Sequence, residues 1–437
     1  MSNVFHRRAD GAPQAAASAD GCWITDADGK RYLDGGGGAV VVNVGHGDRE
    51  ILRALSEQAA KVSYVHATQF TTEAVEAYAA DLAPLLPVDE PRVYPVSGGS
   101  EAVETAMKLA RSYHLARGEP SRHRVIARWG SYHGNTRGAL DASGRQPLRA
   151  PYSPWLGPAL HVPAVYEYRC PWPRHPEGCG RLHAEALERT IVEAGPNTVA
   201  AFIAEPVAGA TLGAAVPPDD YWPAVADVCR RHGVLLIADE VMTGFGRTGA
   251  WFGLDHWGIR ADILVAGKGC SGGYWPLGLC VASGEIFEGV RERGFVHGFT
   301  YSHNAVGAAV GRAVLRRLQE GQLVERSRLQ GELLLKELAS VLDDEPHVGD
   351  VRGLGLMAAV ELVRDRDSKE PFPRQDRMTE RVLEAARDRG LLLYHSTGCA
   401  DGINGDLLML GPPFTITDEE RGLLVERTAE AIAAVRP

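Results

Sequence analysis

The chain has 437 residues, 45% of them hydrophobic and 23% charged, with a formal net charge of -10 and seven cysteines. No run of about 18 apolar residues occurs, which excludes a helical membrane span, and an acidic balance without a basic block argues against a nucleic-acid surface. The length exceeds one core of about 150 residues, and an odd number of scattered cysteines reads as reduced thiols rather than a disulfide framework.

The start, MSNVFHRRADGAPQAAASADG, carries arginines with no apolar stretch behind them, so no secretory signal is read and the cytoplasm is the expected compartment. CWITDADGKRYLDG reads as a hairpin turning at Asp28-Gly29. In SEAVETAMKLARSYHLARG, Ala102, Ala106, Leu109, Ala110 and Tyr113 form one helical stripe that stops at Gly118. That helix is entered through Gly98, Gly99 and Ser100, whose bare backbone leaves first-turn N–H groups free to hold a phosphate; a serine-capped turn is the structural alternative.

The runs RVIAR (124–128), VAAFIAEP (199–206), VLLIADEVM (234–242), DILVAGK (262–268) and LCVAS (279–283) are apolar throughout, as strands covered on both faces are. With helices such as DDYWPAVADVCRRHG between them, they predict an α/β fold with a mostly parallel sheet. The loop CPWPRHPEGCG sets His175 between Cys170 and Cys179, but it lacks four closely spaced ligands, so it reads as a Pro-rich surface loop and no metal is expected. GFGRTG (244–249) fits a dinucleotide fingerprint, yet no helix opens after it and the acids precede it, which argues against nicotinamide or flavin.

Beyond about residue 320 an amphipathic helix (323–342) leads into LGLMAAVEL, whose alternating Leu354, Leu356, Ala358 and Val360 predict a strand. A further helix, the strand GLLLYH and a last helix from about Thr417 follow. The expected organisation is an N-terminal segment (1–55) packing with a small C-terminal α+β domain (321–437), around a large α/β domain (56–320).

Ligands bind beyond the carboxyl ends of the strands in open α/β sheets. Glu205, then Asp239 with Glu240, then Lys268 each end one of three candidate neighbouring strands, and Tyr132 and His133 occupy a Gly-bounded turn after RVIAR. An acid at a strand end can simply cap a helix, and a lysine there can simply be solvated. Together, however, a lysine short of water beside carboxylates can be deprotonated enough to attack a carbonyl.

In order and spacing, SGGSEAVETAMKLAR, SYHGNT, AEPVAG, LLIADEVMTGFGRTG, AGKGCSGGYWPLG and HGFTYSHNAVGAA resemble the class III, or omega, aminotransferases of pyridoxal phosphate (PLP) fold type I, over nearly the whole chain. The resemblance implies an aspartate aminotransferase-like fold with a large, mostly parallel sheet domain that binds PLP and a smaller α+β domain. It implies a ping-pong transfer from an amine or amino-acid donor to a 2-oxo acid through a Lys268 aldimine, with Lys268 shuttling the proton. By the same resemblance Asp239 pairs with the pyridinium nitrogen, Gly99 and Ser100 hold the phosphate, and Tyr132 and Val241 flank the ring. His133 belongs to the same wall, and Glu205 lies near Asp239 and the substrate. Thr300 matches a threonine that reaches the phosphate from the neighbouring subunit, which implies a homodimer with shared sites, tetramer formation being left open. The alternative is a PLP-dependent amino-acid racemase or decarboxylase on the same fold, since those relatives share the cofactor residues.

The chain departs from the family in three places. YSHNAV, with His303 and Asn304, stands where relatives often have Tyr-Ser-Gly-His-Pro. Residues 394–417 contain no arginine to grip the carboxylate of glutamate or 2-oxoglutarate, so pyruvate or another small oxo acid is the expected acceptor unless Arg145, Arg149 or an N-terminal arginine substitutes. Val40 falls where several amine-converting relatives have tryptophan; Tyr64, His66, Tyr152 and Trp155 are candidate donor-side lining, or packing for a subunit interface.

Overall fold

The computed structural model describes residues 3–7, 13–172 and 179–435. Near the N-terminus, β1 (Ala16–Asp20), β2 (Trp23–Asp26) and β3 (Arg31–Asp34) form an antiparallel sheet. The β2–β3 hairpin turns at the expected Asp28-Gly29, where Gly29 has φ +85°.

The central sheet contains β4 (Arg92–Val96), β5 (Arg124–Arg128), β6 (Leu160–Val162), β7 (Val199–Ala204), β8 (Leu235–Asp239), β9 (Ile263–Ala266) and β10 (Gly278–Ala282). Its order is β4-β10-β9-β8-β7-β5-β6; β10 runs antiparallel to both neighbours and the other pairs are parallel. Successive residues of one strand enter different cores. Ala201, Ile203 and Ile237 pack towards the helix Gly99–Ala116, whereas Phe202, Leu236 and Ala238 pack towards the helices Cys179–Ala194 and Tyr221–His232. Burial on both faces is why these runs are continuously apolar.

The C-terminal sheet contains β11 (Val348–Leu354), β12 (Met357–Leu362), β14 (Tyr394–Thr397) and β15 (Asp406–Leu410) in the order β11-β12-β15-β14, while β13 (Leu391–Leu392) pairs parallel with β3. Two expectations change here. LGLMAAVEL is not one alternating strand but a hairpin: Gly355 (φ +58°) makes the turn, and all of Met357–Leu362 is buried. GLLLYH divides at Leu393, its first part joining the N-terminal sheet and its second the C-terminal sheet. Among the described residues, no helix is long and apolar enough to cross a membrane.

GFGRTG opens no helix. Its Arg247 is buried and donates to the carbonyls of Val42 (2.9 Å), Leu356 (2.8 Å) and Pro412 (2.7 Å), with the Phe414 ring 4.5 Å away. Burial pushes this guanidinium down to about 9. In YSHNAV, His303 takes the left-handed conformation (φ +57°) that glycine ordinarily supplies, and the Asn304 side chain caps the helix Ala305–Glu320 by accepting from Gly307 N at 2.9 Å.

Candidate active site

The parallel strands bring their carboxyl ends to one edge. Lys268 lies two residues past β9, Asp239 closes β8, Glu205 follows β7, and Tyr132 and His133 lie just past β5. From the same edge β4 leads into Gly98, Gly99 and Ser100. With Val241, these groups line one cavity of about 430 Å³.

Asp239 and His133 form a buried pair, with His133 Nδ1 donating to Asp239 Oδ2 at 2.6 Å. Val241 N holds the other carboxylate oxygen, Oδ1, at 3.1 Å. His133 Nε2 has no partner among the described residues. The Glu205 carboxylate accepts from Tyr132 N at 3.1 Å and Gly209 N at 2.7 Å, so it ties the aromatic turn to its own loop, and burial raises its pKa. Glu240, the other strand-end acid, does not line the cavity. It is buried and accepts from Gly253 N (2.8 Å), Leu254 N (2.9 Å) and the Thr243 hydroxyl; burial raises it to about 7.

Enclosure by protein lowers the Lys268 ammonium to about 8, against the opposing pull of the Glu205 and Asp239 carboxylates; nearby Arg247 lowers it further. Its backbone is left-handed, with φ +45°. The helix Gly99–Ala116 starts at Gly98 with no side-chain cap, and a Cβ at Gly99 would stand 3.0 Å from Val241 Cγ1. Bare backbone N–H groups therefore face the cavity, as an anion cradle requires.

The remaining candidates lie elsewhere. Val40 packs in the core against Gly411, and its neighbour Val41 lines the cavity. Left-handed turns at Gly38 and Val40 set that one-residue offset. Thr300, Tyr64, His66, Tyr152 and Trp155 are exposed and outside this cavity; Tyr64 meets Tyr301, and Tyr152 meets Trp155, with ring centroids 6.1 and 5.7 Å apart. Met242, Ala210, Ser271 and Trp275 line the cavity without having been singled out. Of these, Ser271 and Trp275 carried a signal, through their place in the Gly-rich loop after Lys268.

Of the substitute arginines, Arg149 is occupied, donating to the carbonyls of Leu140 (2.8 Å), Ser143 (2.7 Å) and Asp141. Arg145 is different. It stands beside Tyr132 and Tyr394, its buried Nε has no partner among the described residues, and burial lowers its pKa. It also lines a second cavity of about 390 Å³ together with Thr397–Gly402. His175 lies outside the described residues.

Residues 4–432 match the family model for class-III aminotransferases. A thermostable (S)-enantioselective omega-transaminase from Thermomicrobium roseum is 40% identical and superposes with a TM-score of 0.92, covering 97% of this chain and 93% of that one. A PLP-bound amine transaminase from an uncultivated Pseudomonas species is 36% identical, with a TM-score of 0.93 and 99% of each chain covered. The putrescine–pyruvate aminotransferase of Pseudomonas aeruginosa is 34% identical over 95% of this chain and 91% of its own.

Proposed function

The chain belongs to the class III aminotransferases, which use PLP, and from that premise we propose that it passes an amino group from an amine donor to a small 2-oxo acid in two half-reactions. The observation that carries this reading is the convergence of Lys268 with the Asp239–His133 pair in one cavity. PLP supplies an aldehyde that takes up the amino group and a ring that accepts electrons from the donor carbon.

The residues present fit that group. Asp239, fixed by His133 and Val241 N, offers a negative charge that keeps a ring nitrogen protonated. Gly99 and Ser100 N–H groups would bind the phosphate, and a Cβ at Gly99 would crowd that cradle by pressing on Val241 at 3.0 Å. Tyr132 and Val241 supply apolar walls that keep water from the reacting carbon. With its pKa near 8, Lys268 Nζ is neutral in about a tenth of molecules at pH 7, enough to serve as nucleophile and to carry a proton from the donor carbon.

Only the neutral amine attacks. Covalent reattachment of PLP to the apoenzyme is therefore expected to accelerate about tenfold per pH unit from pH 6 and to level off above about 8. Stopped-flow absorbance measures it; a flat profile between pH 6 and 8 contradicts the lowered pKa.

For the acceptor, pyruvate is the proposed oxo acid and Arg145 its carboxylate anchor, supported by an unpartnered guanidinium nitrogen beside Tyr132 and by the arginine-free segment 394–417. A relative named for putrescine and pyruvate is in line with pyruvate as acceptor. Single-turnover reaction of amino-loaded enzyme is expected to be faster with pyruvate than with 2-oxoglutarate. Arg145→Gln is expected to raise the KM for pyruvate about 10- to 100-fold, the worth of one charged hydrogen bond, and to leave the amine half-reaction intact. Faster turnover of 2-oxoglutarate by the wild type would remove the basis for this assignment.

A second copy of the chain belongs to the proposal. Thr300 stands in an exposed segment with Val296 (95% exposed) and Tyr301 (62%), where it is available to the phosphate site of a partner rather than its own.

A further inference from the structure

Cys170, Cys179 and His183 bring together groups that the amino-transfer site does not use. Cys170 follows the short turn Glu167–Arg169 and is half-buried. Cys179 opens the helix Cys179–Ala194, and His183 stands one turn further on; both are buried. The two Sγ atoms and a ring nitrogen of His183 all lie within 4.8 Å of one another, the one such convergence of three His, Cys, Asp or Glu side chains among the described residues. None of the three lines the catalytic cavity.

We propose that Cys170, Cys179 and His183 form a binding site for a thiophilic divalent cation, zinc, apart from the catalytic centre. Positions 179 and 183 are four apart on a helix, which sets both side chains on one face. Tetrahedral zinc with S at about 2.3 Å and N at about 2.0 Å needs its ligand atoms about 3.5–3.8 Å apart, so the three atoms close by about 1 Å, within reach of small side-chain rotations. The sequence suggested His175 as the third group. The fold supplies His183 instead, held edge-on by Trp172, with ring centroids 4.7 Å apart, and by Tyr221 at 6.4 Å. Fixing the imidazole plane in this way is what a metal ligand needs.

The charges suit the place. Two thiolates and a neutral imidazole balance Zn²⁺, so the occupied site adds no net charge to a buried region. Glu167 Oε1, 3.9 Å from Cys179 Sγ, is an oxygen donor within reach of a fourth ligand position. Binding is redox-neutral: two S–H bonds break and two S–Zn bonds form, and about two protons pass to solvent. The other five cysteines, Cys22, Cys229, Cys270, Cys280 and Cys399, are free and buried outside this cluster. Occupancy would staple the Cys170 turn to the helix. Its neighbour Arg169 donates Nε to Glu361 of β12 at 2.7 Å, so the staple would steady a link to the C-terminal sheet.

The test uses PLP-loaded enzyme kept reduced, saturated with zinc and dialysed against metal-free buffer, with metal measured by mass spectrometry. About one zinc per chain is expected, together with release of about two protons on loading and, with Co²⁺, tetrahedral d–d bands in the red, clear of the cofactor. Cys170→Ser, Cys179→Ser and His183→Asn are each expected to weaken binding about tenfold or more while amino transfer persists. Should buried Cys179→Ser fail to fold, alkylation decides in the wild type, since bound zinc should protect Cys170 from iodoacetamide. The proposal is overturned by less than about a tenth of a zinc per chain, by full zinc binding in Cys170→Ser, or by a Cys170–Cys179 disulfide whose reduction restores no zinc uptake.

Discussion

Replacing Lys268 by alanine is expected to slow amino transfer by about 10⁴-fold or more, the largest effect of any single substitution in the cavity. General acid–base catalysis alone accounts for about 10²–10⁴, and loss of the attacking amine adds to it. The fold should survive, because alanine removes an enclosed amine and leaves no unpaired polar group behind. Lys268→Arg keeps the side chain's bulk and charge but cannot give up its proton, so it should be no better than alanine. The decisive measurement is the donor half-reaction with and without added methylamine. A small amine entering the cavity should restore part of the rate in Lys268→Ala and none in the wild type. Normal turnover by Lys268→Ala would end the mechanism given above.

Asp239→Asn ranks second, with an expected loss of about 10²–10⁴ in both half-reactions. Asparagine has one acceptor oxygen: placed on Val241 N, it leaves the amide N–H to donate to His133 Nδ1 in the other tautomer, so both contacts that fix the aspartate can be kept. What disappears is the negative charge, and with it the preference for a protonated ring nitrogen, an effect of about 1–3 pKa units. The readout is the single-turnover rate at saturating donor, with PLP binding checked separately by absorbance. A variant that binds PLP normally yet reacts slowly supports an electrostatic role. Equal loss of PLP binding and rate would instead make Asp239 an anchor.

Much of this site could be read from residues alone, because the chemistry sits where local patterns are strongest. Runs buried on both faces end abruptly in Glu205, Asp239 and Lys268, and Gly98–Gly99–Ser100 opens a helix; neither feature needs knowledge of distant contacts. Other features depend on which distant segments meet. Gly355 could not be recognised as a hairpin turn, because Met357–Leu362 is buried on both faces and continues the apolar character of Leu354 and Leu356 across the turn, up to Glu361. β13 is two residues long and gains its meaning from parallel pairing with β3. The choice between Val40 and Val41 rests on left-handed turns in a glycine run that permits many paths. His183 was hidden by a rule of proximity in sequence, which favoured His175, whereas a helix makes the fourth residue along a spatial neighbour.

Arg145 shows a different kind of gap. Its type and position were noted beside those of Arg149, but no sequence pattern separates a guanidinium engaged by backbone carbonyls from one with a free nitrogen. Only the folded chain assigns the carbonyls of Leu140, Asp141 and Ser143 to Arg149.

The left-handed backbone at Lys268 sets two evolutionary pressures against each other. Such a conformation costs a residue with a side chain about 1–3 kcal/mol, and an amine deprived of water adds to the burden. Glycine at this position would relax both, so drift towards a sturdier scaffold runs directly against keeping the reaction. A lysine there marks a chain selected for turnover, and a descendant that lost it would have a ready route to a stable, silent protein of the same shape.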